Sequence, residues 1–171
     1  HETMNLAQLW KLPTIFVVEN NGYSMGTAAK RHTVAEIVDR AKGYGMKSAV
    51  INGMDVLSVF EKMKEIAEDV RKHSEPWFVE IRTYRYRGHS MSDPQKYRTK
   101  EELEEYQSID PIERLKAYML KEKLCKQSDI DSIEEGVEKE VLAAVSFADE
   151  SPFPEKSELY TDMFVEDNPY F

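Results

Sequence analysis

Short apolar runs alternate with longer amphipathic segments over roughly the first eighty residues. Three runs, at residues 14–18, 48–51 and 77–86, are rich in β-branched and aromatic side chains, which is typical of strands. The first two carry no charge and predict strands buried on both faces. Strands of this kind, separated by amphipathic helices, predict βαβ units and a parallel sheet.

Two helices are predicted between these strands. Residues 33–36 spell Thr-Val-Ala-Glu, a capping box that predicts a helix ending at Gly43. Asp55 is the predicted N-cap of the next helix. Apolar residues recur along this helix at three- and four-residue steps and predict one buried face: Val56, Val59, Phe60, Met63, Ile66, Ala67 and Val70.

Beyond residue 100 the pattern is that of acidic helices, predicted at residues 100–106, 110–124 and 129–149, with Asp110 as the N-cap of the second. The last has an apolar face of Ile130, Ile133, Val137, Val141, Ala144, Val145 and Ala148. We therefore expect an α/β domain over residues 1–99 with an active-site loop at its end. A helical extension with an irregular tail is expected over residues 100–171.

Composition narrows the class of protein. The chain has 171 residues, of which 41% are hydrophobic, enough for a globular core. Its apolar runs, such as Ile15-Phe16-Val17-Val18, are far shorter than the roughly 18 residues that a transmembrane helix needs, which excludes such a helix. A single cysteine, Cys125, favours a reducing compartment. Because His1 opens the chain without an initiator methionine and directly before a helical pattern, we expect an N-terminally truncated chain.

Charge is divided unequally. Residues 1–100 carry a net charge of +4 and residues 101–171 a net charge of -13. Six basic side chains and one acidic one, Asp93, lie within residues 81–100, a concentration suited to a small anion such as a phosphate. The overall charge of -9 argues against a nucleic-acid partner.

Polar clusters follow the first and third predicted strands, where ligands bind in open parallel sheets. We call residues 19–25 the asparagine turn and residues 85–98 the basic loop. The asparagine turn offers amide and backbone carbonyl oxygens that suit Mg²⁺, although Asn-Asn-Gly is also an ordinary turn sequence.

In the basic loop, His89 could bind an anion or act as an acid or base near neutral pH, and Arg85 or Arg87 could bind a phosphate. A solvated charged loop is the alternative. Asp93, Tyr97 and Arg98 are equally consistent with a structural role.

Longer motifs in these two clusters resemble a known family, the alpha subunits of the decarboxylating component of pyruvate dehydrogenase, which are thiamine diphosphate-dependent. The resemblance rests on Leu-Trp-Lys-Leu-Pro at 9–13, Glu-Asn-Asn-Gly-Tyr-Ser-Met-Gly-Thr at 19–27, Thr-Tyr-Arg-Tyr-Arg-Gly-His-Ser-Met-Ser-Asp-Pro at 83–94 and Tyr-Arg-Thr at 97–99.

The resemblance implies a fold and a chemistry. The fold is the C-terminal part of a thiamine diphosphate-binding domain, and the chemistry is decarboxylation of pyruvate followed by reductive acetylation of a lipoyl group. Asn21 matches the side-chain ligand of Mg²⁺ and Tyr23 the ligand that uses its backbone carbonyl. His89 matches a loop histidine that contacts the cofactor diphosphate, and Arg85 matches an arginine of the same loop.

The family's partners are a beta subunit, in a heterotetramer, and the lipoyl domain of the acyltransferase core. The Gly-Asp-Gly half of the family's cofactor motif is missing from this chain, so the isolated chain is expected to be inactive. Ser90 matches a regulated serine, but a second one is missing, so kinase control is not expected. The missing second serine suggests a bacterial cytoplasm, with the plastid stroma or mitochondrial matrix as alternatives.

Two other functions fit the same sequence. Branched-chain 2-oxo acid and acetoin dehydrogenase alpha subunits share the motifs, although Ser-Met-Ser-Asp-Pro at 90–94 is the pyruvate-type spelling. A non-catalytic assembly module with the same scaffold is the alternative from a different class.

Overall fold

A computed structural model describes residues 1–162. The chain divides into two compact units, which meet in sequence between Glu122 and Lys123. The first unit contains the sheet and both polar clusters, and the second contains one long helix. The predicted boundary at residue 99 separates an active-site portion from a helical extension. It does not describe compact units, and it stays a prediction.

The sheet of the first unit is parallel, as predicted. Its strands, with a small hairpin, are β1 (Ile15–Asn20), β2 (Tyr23–Ser24), β3 (Thr27–Ala28), β4 (Lys47–Asn52) and β5 (Trp77–Arg82). The order is β1-β5-β4, and β2 pairs with β3 in antiparallel fashion. Arg82 lies opposite both Asn20 and Asn52 in register, so all three strands end in one row. That row is the carboxyl edge of the sheet.

Five α-helices accompany the strands in the part of the chain that the structure describes. They are α1 (Glu2–Leu9), α2 (Val56–His73), α3 (Lys100–Ser108), α4 (Pro111–Lys121) and, in the second unit, α5 (Gln127–Glu150). The predicted N-caps are confirmed: Asp55 Oδ1 accepts hydrogen bonds from the first-turn amides of α2, and Asp110 Oδ1 does the same for α4.

Successive side chains of the central strand β5 point to opposite faces of the sheet, and both faces are covered. Val79 packs with Ile51 of β4 and with Ile66 and Val70 of α2. Phe78, on the other face, packs with Ala41 and Met46. The two clusters hold the strand ends in fixed positions relative to one another. No helix within residues 1–162 is long and apolar enough to cross a membrane.

The capping box predicted at residues 33–36 is wrong. The helix that follows is instead a 3₁₀ helix at Ile37–Tyr44, and its C-cap is Gly45 with φ of +63°. Glu36 occupies the N-cap position but makes no side-chain cap, because its carboxylate accepts a hydrogen bond from the Arg82 guanidinium. A tertiary ion pair therefore replaces the local cap.

The first two predicted strands are not buried on both faces, because β1 and β4 lie at the two edges of the described sheet and expose Val17 and Val50. Other differences lie at element ends and on helix faces. The third strand ends at Arg82 instead of Tyr86 because both neighbouring strands end in that row. In α2, Phe60 is 67% exposed and does not join the predicted buried face. Helix α4 ends at Lys121, before the predicted residue 124. Most large apolar residues of α5 are likewise exposed: Ile133, Val137, Val141 and Val145.

Candidate functional site

The asparagine turn begins where β1 ends, and its first asparagine is tied to the sheet. Asn20 Nδ2 donates a 2.9 Å hydrogen bond to Glu80 Oε1 on β5. Asn20 Oδ1 accepts one of 3.0 Å from the amide of Gly22, which has φ of +80°. Glycine reaches this left-handed conformation without strain. Both ends of the Asn20 amide are thus used in holding the turn.

Asn21 makes a different contact. Its Oδ1 accepts a 3.0 Å hydrogen bond from the Tyr23 amide. Because the Gly22 carbonyl accepts from Ala29, the next pair of the hairpin, Tyr23 and Ala28, is a non-hydrogen-bonded pair. The Tyr23 carbonyl is therefore left out of the hairpin ladder and points to the same side as its amide, which faces Asn21.

The Tyr23 side chain reaches away from the turn to α3. Its hydroxyl donates a 2.6 Å hydrogen bond to Glu102 Oε1, which also accepts one of 2.9 Å from the Tyr84 hydroxyl. Burial, together with the hydrogen bond to the Glu102 carboxylate, raises the pKa of Tyr23 to about 12. The phenol is consequently protonated at neutral pH and acts as a fixed donor.

Arg85 joins the basic loop to the asparagine turn. Its Nη2 atom donates 2.6 Å and 3.1 Å hydrogen bonds to the Met25 carbonyl and the Tyr97 hydroxyl. Nε donates to the Arg87 carbonyl at 3.1 Å. The rings of Tyr23 and Tyr97 also pack, with centroids 5.4 Å apart. The two polar clusters predicted from the sequence therefore form one surface.

Asp93 organises the interior of the basic loop. Its Oδ2 accepts 2.7 Å hydrogen bonds from the His89 amide and the Tyr97 hydroxyl, and its Oδ1 accepts one from the Gln95 amide. These bonds, led by that from Tyr97, lower the pKa of Asp93 to about 2. Gly88 permits the fold, since a Cβ there would lie 2.9 Å from the Asp93 Cβ.

Arg98 closes the loop at its other end. Its guanidinium donates to the backbone carbonyls of Arg85 and Tyr86 and to the Gln95 side chain. It also lies over the Tyr84 ring, 5.3 Å from the centroid. Asp93, Tyr97 and Arg98, whose roles the sequence left open, thus make the contacts that shape the loop.

His89 has a different environment from these loop-shaping residues. It is exposed beside a cavity of about 530 Å³ that is lined by residues of the 87–95 segment. Within the described part of the chain, its imidazole has no hydrogen-bonding partner and is not bonded to Asn21. The ring nitrogens of His89 are therefore available to a ligand.

Metal binding by acidic or histidine clusters finds no support in residues 1–162, where no three His, Cys, Asp or Glu side chains are grouped to hold an ion. The oxygens that fit a hard cation are instead neutral. The Asn21 amide oxygen and the Tyr23 carbonyl lie on one side of the turn, and both are of the type that Mg²⁺ accepts.

Sequence reasoning missed Glu80. Among the described residues it is the one charged side chain that is fully buried. Burial would raise its pKa, but the hydrogen bonds from Asn20, Arg82 and Val38 outweigh burial and hold the pKa below its usual value. A single carboxylate between Val79 and Ile81, in a strand covered on both faces, was the available signal.

A parallel α/β sheet with two joined polar loops at its carboxyl edge defines a class of protein that binds its ligand at the strand ends. The family described as Dehydrogenase E1 component matches residues 1–157, and the chain belongs to this family. Its α/β fold agrees with that membership.

Curated relatives extend beyond this chain. It is 43% identical over 166 residues to the pyruvate dehydrogenase E1 component subunit alpha of Rickettsia bellii, covering 96% of this chain and 51% of that protein. Identity to the chloroplastic subunit alpha-3 of Oryza sativa is 43%, covering 95% and 39%. For the Zymomonas mobilis subunit alpha it is 40%, covering 96% and 47%. The chain spans about half the length of the first of these relatives.

Proposed function

We propose that this chain forms part of the thiamine diphosphate site of a pyruvate dehydrogenase alpha subunit. The observation that carries the proposal is the hydrogen bond from Arg85 to the Met25 carbonyl. This bond joins the asparagine turn, whose oxygens suit a cation, to the basic loop at one edge of the sheet. The relatives bearing that name support the choice of pyruvate over other 2-oxo acids or acetoin.

Mg²⁺ is proposed to bind the asparagine turn. Asn21 would provide its amide oxygen and Tyr23 its backbone carbonyl, since the hairpin pairing leaves that carbonyl unused. Cations of this kind take one or two protein oxygens together with phosphate oxygens and water. The turn would thus hold the cation against the cofactor diphosphate.

His89 and Arg85 are proposed to act from the basic loop. His89 is exposed and can donate a hydrogen bond to a diphosphate oxygen or to an incoming lipoyl group. Arg85 is committed to two backbone carbonyls and a phenol, so its contribution is to fix the loop and add positive charge. Thiamine diphosphate itself supplies the carbanion chemistry of decarboxylation when bound.

The proposed partners are a beta subunit, in a heterotetramer, and the lipoyl domain of an acyltransferase core, with pyruvate as substrate. The compartment we propose is a bacterial cytoplasm. A plastid is the second candidate, since relatives occur in bacteria and in chloroplasts.

Calorimetry on the assembly that contains this chain and a beta subunit tests the proposal. We expect thiamine diphosphate to bind only with Mg²⁺, and Asn21→Ala to abolish binding. The matched control is Asn52→Ala. Asn52 accepts a hydrogen bond from the Met54 amide at the end of β4. The end of β4 lies two strand spacings, about 10 Å, from the end of β1, where the asparagine turn begins. This control should bind normally.

Turnover of the same assembly identifies the substrate. We expect pyruvate to be used in preference to 2-oxoisovalerate and acetoin. An assembly that bound no thiamine diphosphate in the presence of Mg²⁺ would contradict the cofactor proposal. Preference for another of the three substrates would contradict the pyruvate proposal alone.

A further inference from the structure

The buried charge of Glu80 is energetically unfavourable for this fold. It lies on central strand β5 and is fully buried, and a buried charge is unfavourable unless it is paired and hydrogen-bonded. Its carboxylate accepts hydrogen bonds from Asn20 Nδ2 at 2.9 Å, Arg82 Nε at 3.0 Å and the Val38 amide at 3.1 Å. The three donors belong to the end of β1, to β5 and to the 3₁₀ segment.

A directed series of hydrogen bonds leads from this carboxylate to the asparagine turn. Because Glu80 can only accept, it requires the Nδ2 end of Asn20. That choice points Asn20 Oδ1 at the Gly22 amide, which it binds at 3.0 Å. Gly22 lies between Asn21 and Tyr23, the two residues proposed to bind the cation.

We propose that Glu80 is a positioning residue for the cation-binding turn, acting through the orientation of the Asn20 amide. The inference rests on the function proposed above and deepens it. Keeping a charge at this position costs burial energy, and what it provides is a turn whose oxygens are already placed before the cation arrives. Partners behind metal ligands commonly affect affinity by roughly 10–100-fold.

Methionine removes this carboxylate with little change in side-chain volume. In a Glu80→Met variant Asn20 Nδ2 would lose its acceptor, so Asn20 Oδ1 would no longer be held toward the Gly22 amide. Glutamine is the conservative replacement. Because Oε1 of Glu80 accepts from both Asn20 and Arg82 and Oε2 accepts only from Val38, the glutamine oxygen would keep the Asn20 bond and its NH₂ group would face Val38.

Two further variants complete the series. Asn20→Ala removes the amide that links Glu80 to the Gly22 amide and leaves the carboxylate in place. The matched control is Glu36→Gln, which alters the other carboxylate bound to Arg82 and leaves the turn intact.

The test measures thiamine diphosphate binding by calorimetry over a range of Mg²⁺ concentrations, in the assembly with the beta subunit. We expect Glu80→Met and Asn20→Ala to raise the Mg²⁺ concentration needed for half-maximal binding by about 10–100-fold. Glu80→Gln should stay within about threefold of the unmodified protein, and Glu36→Gln should leave it unchanged. Melting temperature without Mg²⁺ or cofactor, recorded alongside, separates positioning from general stability.

The outcomes are distinguishable. If the unmodified assembly fails to bind, the proposed function fails and this inference with it. If that assembly binds and Glu80→Met binds equally well at every Mg²⁺ concentration, the inference alone is overturned. Should Glu80→Met fail to assemble, Asn20→Ala decides, because an unchanged Mg²⁺ requirement in that variant would leave Glu80 a structural residue only.

Discussion

The Arg85 guanidinium donates a 2.6 Å hydrogen bond to the backbone carbonyl of Met25, sixty residues earlier in the chain. The same Nη2 atom reaches the Tyr97 hydroxyl, and Nε reaches the Arg87 carbonyl. Three parts of the surface are thereby held by one planar side chain. An ammonium group cannot reproduce this arrangement because it lacks the fixed fork of donors.

Arg85→Lys should therefore loosen the basic loop. Hydrogen bonds to a charged group contribute about 1.5–3 kcal/mol each when lost from a fixed geometry, so local opening becomes at least tenfold more frequent. Limited trypsin digestion, followed by mass spectrometry, should show correspondingly faster cleavage after Arg87.

Arg87→Lys is the matched control for this measurement. The Arg87 side chain is exposed and has no bonded partner in the described part of the chain, and lysine preserves the trypsin site. We expect an unchanged cleavage rate. Equal rates for Arg85→Lys and the unmodified protein would show that the link to Met25 does not restrain the loop.

The two proposed cation ligands predict opposite results for two neighbouring substitutions. Asn21→Ala removes a ligand and should weaken Mg²⁺ binding by at least about 100-fold. Tyr23→Phe keeps the backbone carbonyl and loses only the hydroxyl bond to Glu102, so Mg²⁺ affinity should stay within about threefold. Its cost is about 1.5–3 kcal/mol of stability, because the acceptor is a carboxylate. Calorimetry with thiamine diphosphate present measures both, and a large loss in Tyr23→Phe would contradict the prediction that Tyr23 acts through its backbone carbonyl alone.

The sequence predicted the order and type of most elements because their signals are local. Apolar runs indicate strands, and Asp55 and Asp110 indicate helix starts, and the positions of these elements were confirmed. The predicted burial of the first two strands on both faces was wrong, because Val17 and Val50 are exposed. The juxtaposition of the asparagine turn and basic loop was also predictable in outline, because both follow strands that end at the same edge of one sheet.

Features that depend on distant partners were not predictable. Glu36 looked like half of a capping box, yet Arg82 binds it from β5. Phe60 has helical spacing with Met63 and Ala67 but no covering element within residues 1–162, so it is exposed. Glu80 carried a signal, a charge inside a buried strand, but its partners Asn20 and Val38 are at least forty residues away.

Asp93 predicts an acid-sensitive loop. Hydrogen bonds from Tyr97, His89 and Gln95 lower its pKa from 3.8 to about 2, so the folded loop favours the ionised form. A lowered pKa contributes stability above the unfolded value, and that contribution is lost as the pH falls toward the folded value. Protection of the His89 and Gln95 amides from hydrogen exchange should therefore decline between about pH 4 and pH 2.

Amides of β5 provide the internal control, because they must stay protected while the loop opens. Asp93→Asn should show poor protection of the His89 and Gln95 amides already at pH 7, since the new NH₂ group faces one of the backbone donors. If the loop amides of the unmodified protein stay protected down to pH 2, Asp93 ionisation does not hold the loop.

Helix α2 allows a direct comparison between a buried and an exposed residue of the same apolar pattern. Ile66 is 1% exposed and packs against Ile51, Val70 and Val79, so Ile66→Ala should cost about 2–5 kcal/mol. Phe60 is 67% exposed, and Phe60→Ala should cost less than about 1 kcal/mol. Urea unfolding of this chain, purified alone and followed by circular dichroism, measures both. A cost for Phe60→Ala as large as that for Ile66→Ala would contradict the exposed position of Phe60 in α2.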